Sequence, residues 1–186
     1  MSKKAVQSIV IVVIILVLIG GVWVLKHRDE LFKDKANSSV SEIKDKVDES
    51  PFSLEITGDS VQLDKLKSYN IPILLDFSGT DCPACVILRP TLEELNKELE
   101  GKAFVKIADI WANTALADGF PVRAVPTMFF FDGNGKPYVP PEDNPDGLIM
   151  YKDKQTGEHI YTVKEGIMEK ERILAIFEDM GLLIDD

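Results

Sequence analysis

Apolar and polar positions divide this 186-residue chain into three unequal stretches. From Ala5 to Leu25 no residue is charged, and wound as a helix that run is long enough to cross about 30 Å of hydrocarbon. Its apolar core exceeds the roughly 7 to 15 residues of a secretory signal, and no A-x-A site closes it. Residues 1–28 are therefore expected to be a retained N-terminal membrane anchor, with Trp23, Lys26 and Arg28 at positions suited to the interface. Residues 29–50 are polar and charged, with Val40, Ile43 and Val47 as a weak helical stripe, and read as a stalk.

From 51 to 186 the pattern alternates between strand and helix. Phe52–Ile56 predicts a short strand, and Ser60 is placed to cap a helix through Tyr69 that carries Val61, Leu63 and Leu66. Ile71–Phe77 reads as a buried strand, interrupted only by Asp76. Leu88, Leu92, Leu95 and Leu99 recur at helical spacing; Pro83 suits the first turn of that helix, whereas Pro90 is expected to kink it. Ala103–Ile110 predicts a second central strand, residues 113–119 a short helix, and Thr127–Phe131 an apolar strand. Leu148–Tyr151 and His159–Val163 form a candidate hairpin across KDKQTG, and Glu169–Met180 a closing helix stopped by Gly181.

Composition, with 45% hydrophobic and 28% charged residues, fits one ordinary globular domain plus an appendage. The net charge is −10, and all 31 acidic residues follow Arg28. Such a domain is a poor partner for nucleic acid or an anionic membrane surface. Lys3 and Lys4 before the apolar run face Lys26, Arg28, Lys33 and Lys35 after it, so basic residues alone leave the orientation open.

The chain has two cysteines, and they stand three apart in Cys82-Pro83-Ala84-Cys85, where a buried strand gives way to a helix. A helix N-terminus offers unsatisfied N–H groups and the positive end of the dipole, which favour thiolate on the first sulfur; the second, one turn in, should be more buried. Structural zinc takes four ligands, and the other soft donors are only His27 and His159. A tethered Cu(I) module held by two thiolates stays open on spacing alone, although no methionine or histidine stands close in sequence.

Read alone, Asp76 could sit at a strand end in water; inside an apolar strand its carboxylate must be paired or protonated. Pro126 could be an ordinary loop proline, since about one X-Pro bond in twenty is cis. Taken together, the element order and the ordered set Asp76, Cys82, Cys85, Pro90, Lys106, Pro126 and Gly166 resemble the thioredoxin family over roughly residues 52–184. The resemblance implies an α/β thioredoxin-like fold with a central mixed sheet flanked by helices. It implies a thiol-disulfide oxidoreductase whose redox-active group is the Cys82–Cys85 disulfide, with no separate cofactor. Cys82 would be the nucleophile and Cys85 the resolving thiol. Asp76 would be the proton acceptor, tuned by Lys106, and cis-Pro126 would present the backbone of Val125 to a substrate strand. Asp81, Pro83 and Ala84 would complete the substrate-facing surface.

Departures from the family pattern sharpen these expectations. Ser78 and Asp81 stand where typical members carry aromatic residues, and Asp81 opposes thiolate formation if its carboxylate faces the sulfur. Pro83-Ala84 replaces the Gly-Pro of cytoplasmic members, and the histidine of strong oxidants of the DsbA type is missing. These features favour a reductase of protein disulfides over a DsbA-type oxidase. By the same resemblance, an extracytoplasmic tethered member would draw electrons from a membrane thiol transporter of the CcdA or DsbD type. Finally, residues 132–157 lengthen the connection between two strands that usually form a hairpin, giving an extended loop or an extra hairpin.

Overall fold

The computed structural model describes residues 50–183. The expected anchor at 5–25 and nearly all of the 29–50 stalk lie outside the described residues. Among the described residues, no helix is long and apolar enough to cross a membrane.

Three α-helices and five strands make up this region: α1 (Leu63–Lys67), β1 (Ile73–Ser78), α2 (Pro83–Glu98), β2 (Phe104–Asp109), β3 (Thr127–Phe131), β4 (Ile149–Lys152), β5 (His159–Glu165) and α3 (Lys170–Asp179). A 3-10 turn at Thr114–Ala117 stands where the short helix was expected. The sheet order is β2-β1-β3-β5-β4. β1 runs parallel to β2 and antiparallel to β3, and β5 is antiparallel to both β3 and β4.

All six residues of β1 are buried because the strand is paired on both edges and covered on both faces. Leu74 and its same-face neighbours Val105, Ile107, Met128 and Phe130 pack against Leu88, Leu92 and Leu95 of α2 and Ile173, Ile176 and Phe177 of α3. Ile73, Leu75, Phe77, Phe129 and Phe131 point the other way, toward Leu63 and Leu66 of α1, Leu116 and Phe120. Alternation along β1 thus sends Asp76 to the α2 face and Leu75 to the α1 face.

Three expectations are corrected. The Phe52–Ile56 strand reduces to a single parallel bridge, Glu55 to Ile107, in which Ile107 N donates to Leu54 O at 2.8 Å and Ile56 N to Ile107 O at 2.9 Å. That short pairing covers the outer side of β2, an edge strand here and not a second central one. Ser60 does not cap α1: the helix starts at Leu63 with Gln62 as N-cap and no capping side chain. Its five residues are set by the need to lay Leu63 and Leu66 on the sheet.

The expected hairpin is present as β4–β5, which adds a fifth strand beyond β5, with a bulge between Tyr151 and Lys152. The long connection before it is pinned to the body. Tyr138 and Leu148 join the core, Tyr138 Oη donates to Asp179 at 2.8 Å, and Arg172 makes two bonds to the Asp146 carboxylate at 2.7 and 2.8 Å.

Candidate active site

The site forms where the C-terminal end of β1 lies beside the start of β3, with Phe77 opposite Thr127. β1 leads through Gly79–Asp81 into α2, whose N-cap is Cys82. The Cys82 Sγ accepts a hydrogen bond from Cys85 N at 3.2 Å, the bond a serine or aspartate usually supplies at this position. Pro83 occupies the first turn, where its missing N–H leaves nothing unsatisfied, and the helix continues through Pro90. Val86 and Pro90 both lie on the exposed side of α2, so the hydrogen bond that Pro90 cannot make is lost away from the core.

Cys82 and Cys85 are joined in a disulfide with their Cα atoms 5.2 Å apart. Contrary to the expectation of a deeper second cysteine, the two are almost equally covered, at 5% and 4% exposure. The Val125–Pro126 bond is cis, as the resemblance implied. It brings the Val125 carbonyl to 3.5 Å from Cys82 Sγ, and Gly166 N closes the far side by donating to Pro126 O at 2.9 Å. Gly166 has φ +87°, a conformation that favours glycine. Asp81 and Pro83 are exposed beside the disulfide and Ala84 is half-buried, so the expected substrate-facing residues are brought together on one surface.

Asp76 lies under this surface with 1% of its area exposed. Burial raises its carboxyl from 3.8 to about 7, opposed by the nearby Ser78 hydroxyl and by the Arg89 charge, while Glu55 adds to the rise. Its Oδ1 has no hydrogen-bond partner. The expectation that Lys106 pairs with and tunes Asp76 is corrected. Register sets Asp76 opposite Ile107 and Leu75 opposite Lys106, so the two side chains leave the sheet on opposite faces. The Lys106 ammonium donates to the Ser53 carbonyl and lies 5.7 Å from the centre of the Phe104 ring.

Arg89 takes the place expected for Lys106 as the cation acting on Asp76. It stands one turn beyond Cys85 on α2 and binds Glu55 at 2.7 Å. Helical periodicity could have put Arg89 on the Cys85 side of α2, but nothing in the sequence links it to Glu55. A second feature missing from the sequence reading is the stacking of Trp111 on Gly79. A β-carbon at Gly79 would come within 2.5 Å of the indole Cδ2, so only glycine admits the ring. Asp109 holds the two loops together: its Oδ2 accepts from Thr80 Oγ1, and its Oδ1 accepts from Trp111 N and Ala112 N, each at 3.0 Å.

The sequence matches the Thioredoxin family model over residues 56–153, more than half of the chain. This chain belongs to the thioredoxin family. It is 34% identical over 76 residues to a thioredoxin of Rickettsia bellii, a match covering 41% of this chain and 71% of that protein. It is 38% identical over 85 residues to the bifunctional thioredoxin reductase/thioredoxin of Mycobacterium leprae, but that match covers 46% of this chain and only 18% of the mycobacterial protein. Among solved structures, a mutant thioredoxin from Halobacterium salinarum is similar, with 25% identity, a TM-score of 0.49 and coverage of 73% of this chain and 97% of that one. Thioredoxin homologues are thiol-disulfide oxidoreductases, and the close Cys82–Cys85 pair supplies that chemistry here.

Proposed function

We propose that this thioredoxin-family chain is a membrane-tethered reductase of protein disulfides whose redox domain works on the extracytoplasmic side. The observation that carries the catalytic part is the Cys82–Cys85 disulfide at the start of α2, with the Val125 carbonyl beside one sulfur and buried Asp76 behind. The charge-free run Ala5–Leu25 supports the tether. Support for the reducing direction comes from Pro83-Ala84 between the sulfurs and the absence of a histidine there. Electrons would come from a membrane thiol transporter of the CcdA or DsbD type.

In the reduced enzyme the Cys82 thiolate attacks a substrate disulfide. A Cys82–substrate bond forms, the substrate S–S bond breaks, and the first substrate thiolate leaves and takes a proton. Asp76 then receives the Cys85 proton, and the Cys85 thiolate attacks Cys82 Sγ. The enzyme disulfide forms as the second substrate sulfur leaves as thiolate and takes a proton, so the substrate gains two electrons and the enzyme loses two. Val125 would hold an extended substrate segment by backbone pairing beside the reacting sulfur.

A Cys85→Ser variant of the full chain tests this reading. It should accumulate mixed disulfides with exported proteins through Cys82, and these should vanish when Cys82 is also replaced. Failure to accumulate any adduct above that double variant would contradict the proposal.

A further inference from the structure

A cavity of about 80 Å³ lies beside the inner cysteine, lined by Ser78, Gly79, Thr80, Cys85, Val86, Arg89 and Asp109. Its size and its hydroxyl, carboxylate and guanidinium lining are those of a site that holds water. Ser78 belongs to both sides of its wall. It is two residues from Asp76 on β1, which puts both side chains on the same face of the sheet, and its hydroxyl favours the ionised form of the Asp76 carboxyl. It also opens onto the cavity that Cys85 lines. Asp76 itself is not among the lining residues.

A carboxyl with 1% exposure is shut off from bulk solvent, and it does not line the cavity beside Cys85. The charged groups bearing on it are Arg89 from α2 and Glu55 from the segment bridged to β2, while Asp109 faces the cavity from the end of β2. Arg89 cannot act as the carrier, because guanidinium stays protonated. A serine hydroxyl both donates and accepts, so it can pass a proton on without changing charge.

Resting on the reading of Asp76 as the proton acceptor, we propose that Ser78 is a relay residue that carries the proton between the Cys85 side of this cavity and the Asp76 carboxyl. In the resolving step Cys85 gives its proton, through cavity water, to Ser78 Oγ. The Ser78 hydroxyl proton passes at the same time to the Asp76 carboxylate. The Cys85 electron pair forms the bond to Cys82 Sγ, the Cys82–substrate S–S bond breaks, and the substrate thiolate leaves with the electron pair of that broken bond. Asp76 ends neutral and returns its proton to the cavity by the same path in reverse. The serine replacing an aromatic residue at position 78 is therefore a change in proton routing as well as in docking surface.

The test uses the reduced full chain mixed with hydroxyethyl disulfide. Rapid acid quench and mass measurement follow formation of the Cys82 adduct and its decay as Cys85 resolves it. Ser78→Ala should slow decay at least tenfold while leaving adduct formation within twofold, and Ser78→Thr, which keeps the hydroxyl, should restore decay to within threefold. In an Asp76→Asn background, Ser78→Ala should add less than a twofold further effect. Decay within twofold of the parent in Ser78→Ala, or an equal slowing with and without Asp76, would overturn the relay. If Asp76→Asn itself leaves decay unchanged, the proton-acceptor reading fails; if it slows decay and Ser78→Ala does not, only the relay fails.

Discussion

Asp76 is the residue on which stability and chemistry meet. With its carboxyl raised from 3.8 to about 7, the folded chain holds a proton that the unfolded chain has released throughout that window. Below the window both states are protonated and Asp76 contributes nothing to the pH dependence. As pH rises through it, stability falls, and above about pH 7 the full cost, on the order of 4 kcal/mol, is in place. Asp76→Asn should therefore be more stable than the parent at pH 8 by a few kcal/mol, with the difference closing toward pH 4. Urea unfolding at the two pH values checks this, and a pH-independent difference would contradict the assigned burial cost.

The identities of Asp76, Cys82, Cys85 and Pro126 were legible in the sequence because each breaks a local rule: an acid within an apolar strand, two thiols at a helix start, a proline ahead of a strand. Their partners were not legible. One position of strand register decides whether residue 106 or 107 faces Asp76, and register is set by packing across the whole sheet. Lys106 consequently answers to Ser53, while Arg89 and Ser78 act on the acid.

Among the elements, long runs with clear periodicity are legible in the sequence. β1, α2, β3 and α3 lie within a residue or two of their expected limits because their apolar faces alone determine which way they turn. Short elements fared worse. The Phe52–Ile56 segment is a bridge and α1 is shorter than expected, since both depend on what the neighbouring sheet edge and face accept. The loop ahead of α2 depends in the same way on a tertiary contact, the Trp111 ring on Gly79. Gly79→Ala should push the indole away, red-shift its emission and cost about 1–3 kcal/mol, as overpacked sites do. Unchanged emission together with unchanged stability would show that the ring does not rest there.

At the scale of the molecule, the described domain separates support from chemistry. Two apolar layers sandwich the sheet, one under α2 and α3 and the other under α1 and the 3-10 turn, and the disulfide, Val125 and the Asp109 latch gather where β1 and β2 end and β3 begins. The 132–157 connection adds an edge strand and a clamp to α3 without entering that end. For a dithiol on such a surface, the direction of exchange is the central claim. The most direct measurement is the reduction potential of the Cys82/Cys85 couple in the full chain, by equilibration against glutathione or dithiothreitol buffers with alkylation of the free thiols. A reversible two-electron couple on the reducing side is expected, closer to the about −270 mV of thioredoxin than to the about −120 mV of DsbA. A potential near −120 mV would contradict the reductase assignment, and a dithiol with no reversible step would contradict the enzyme.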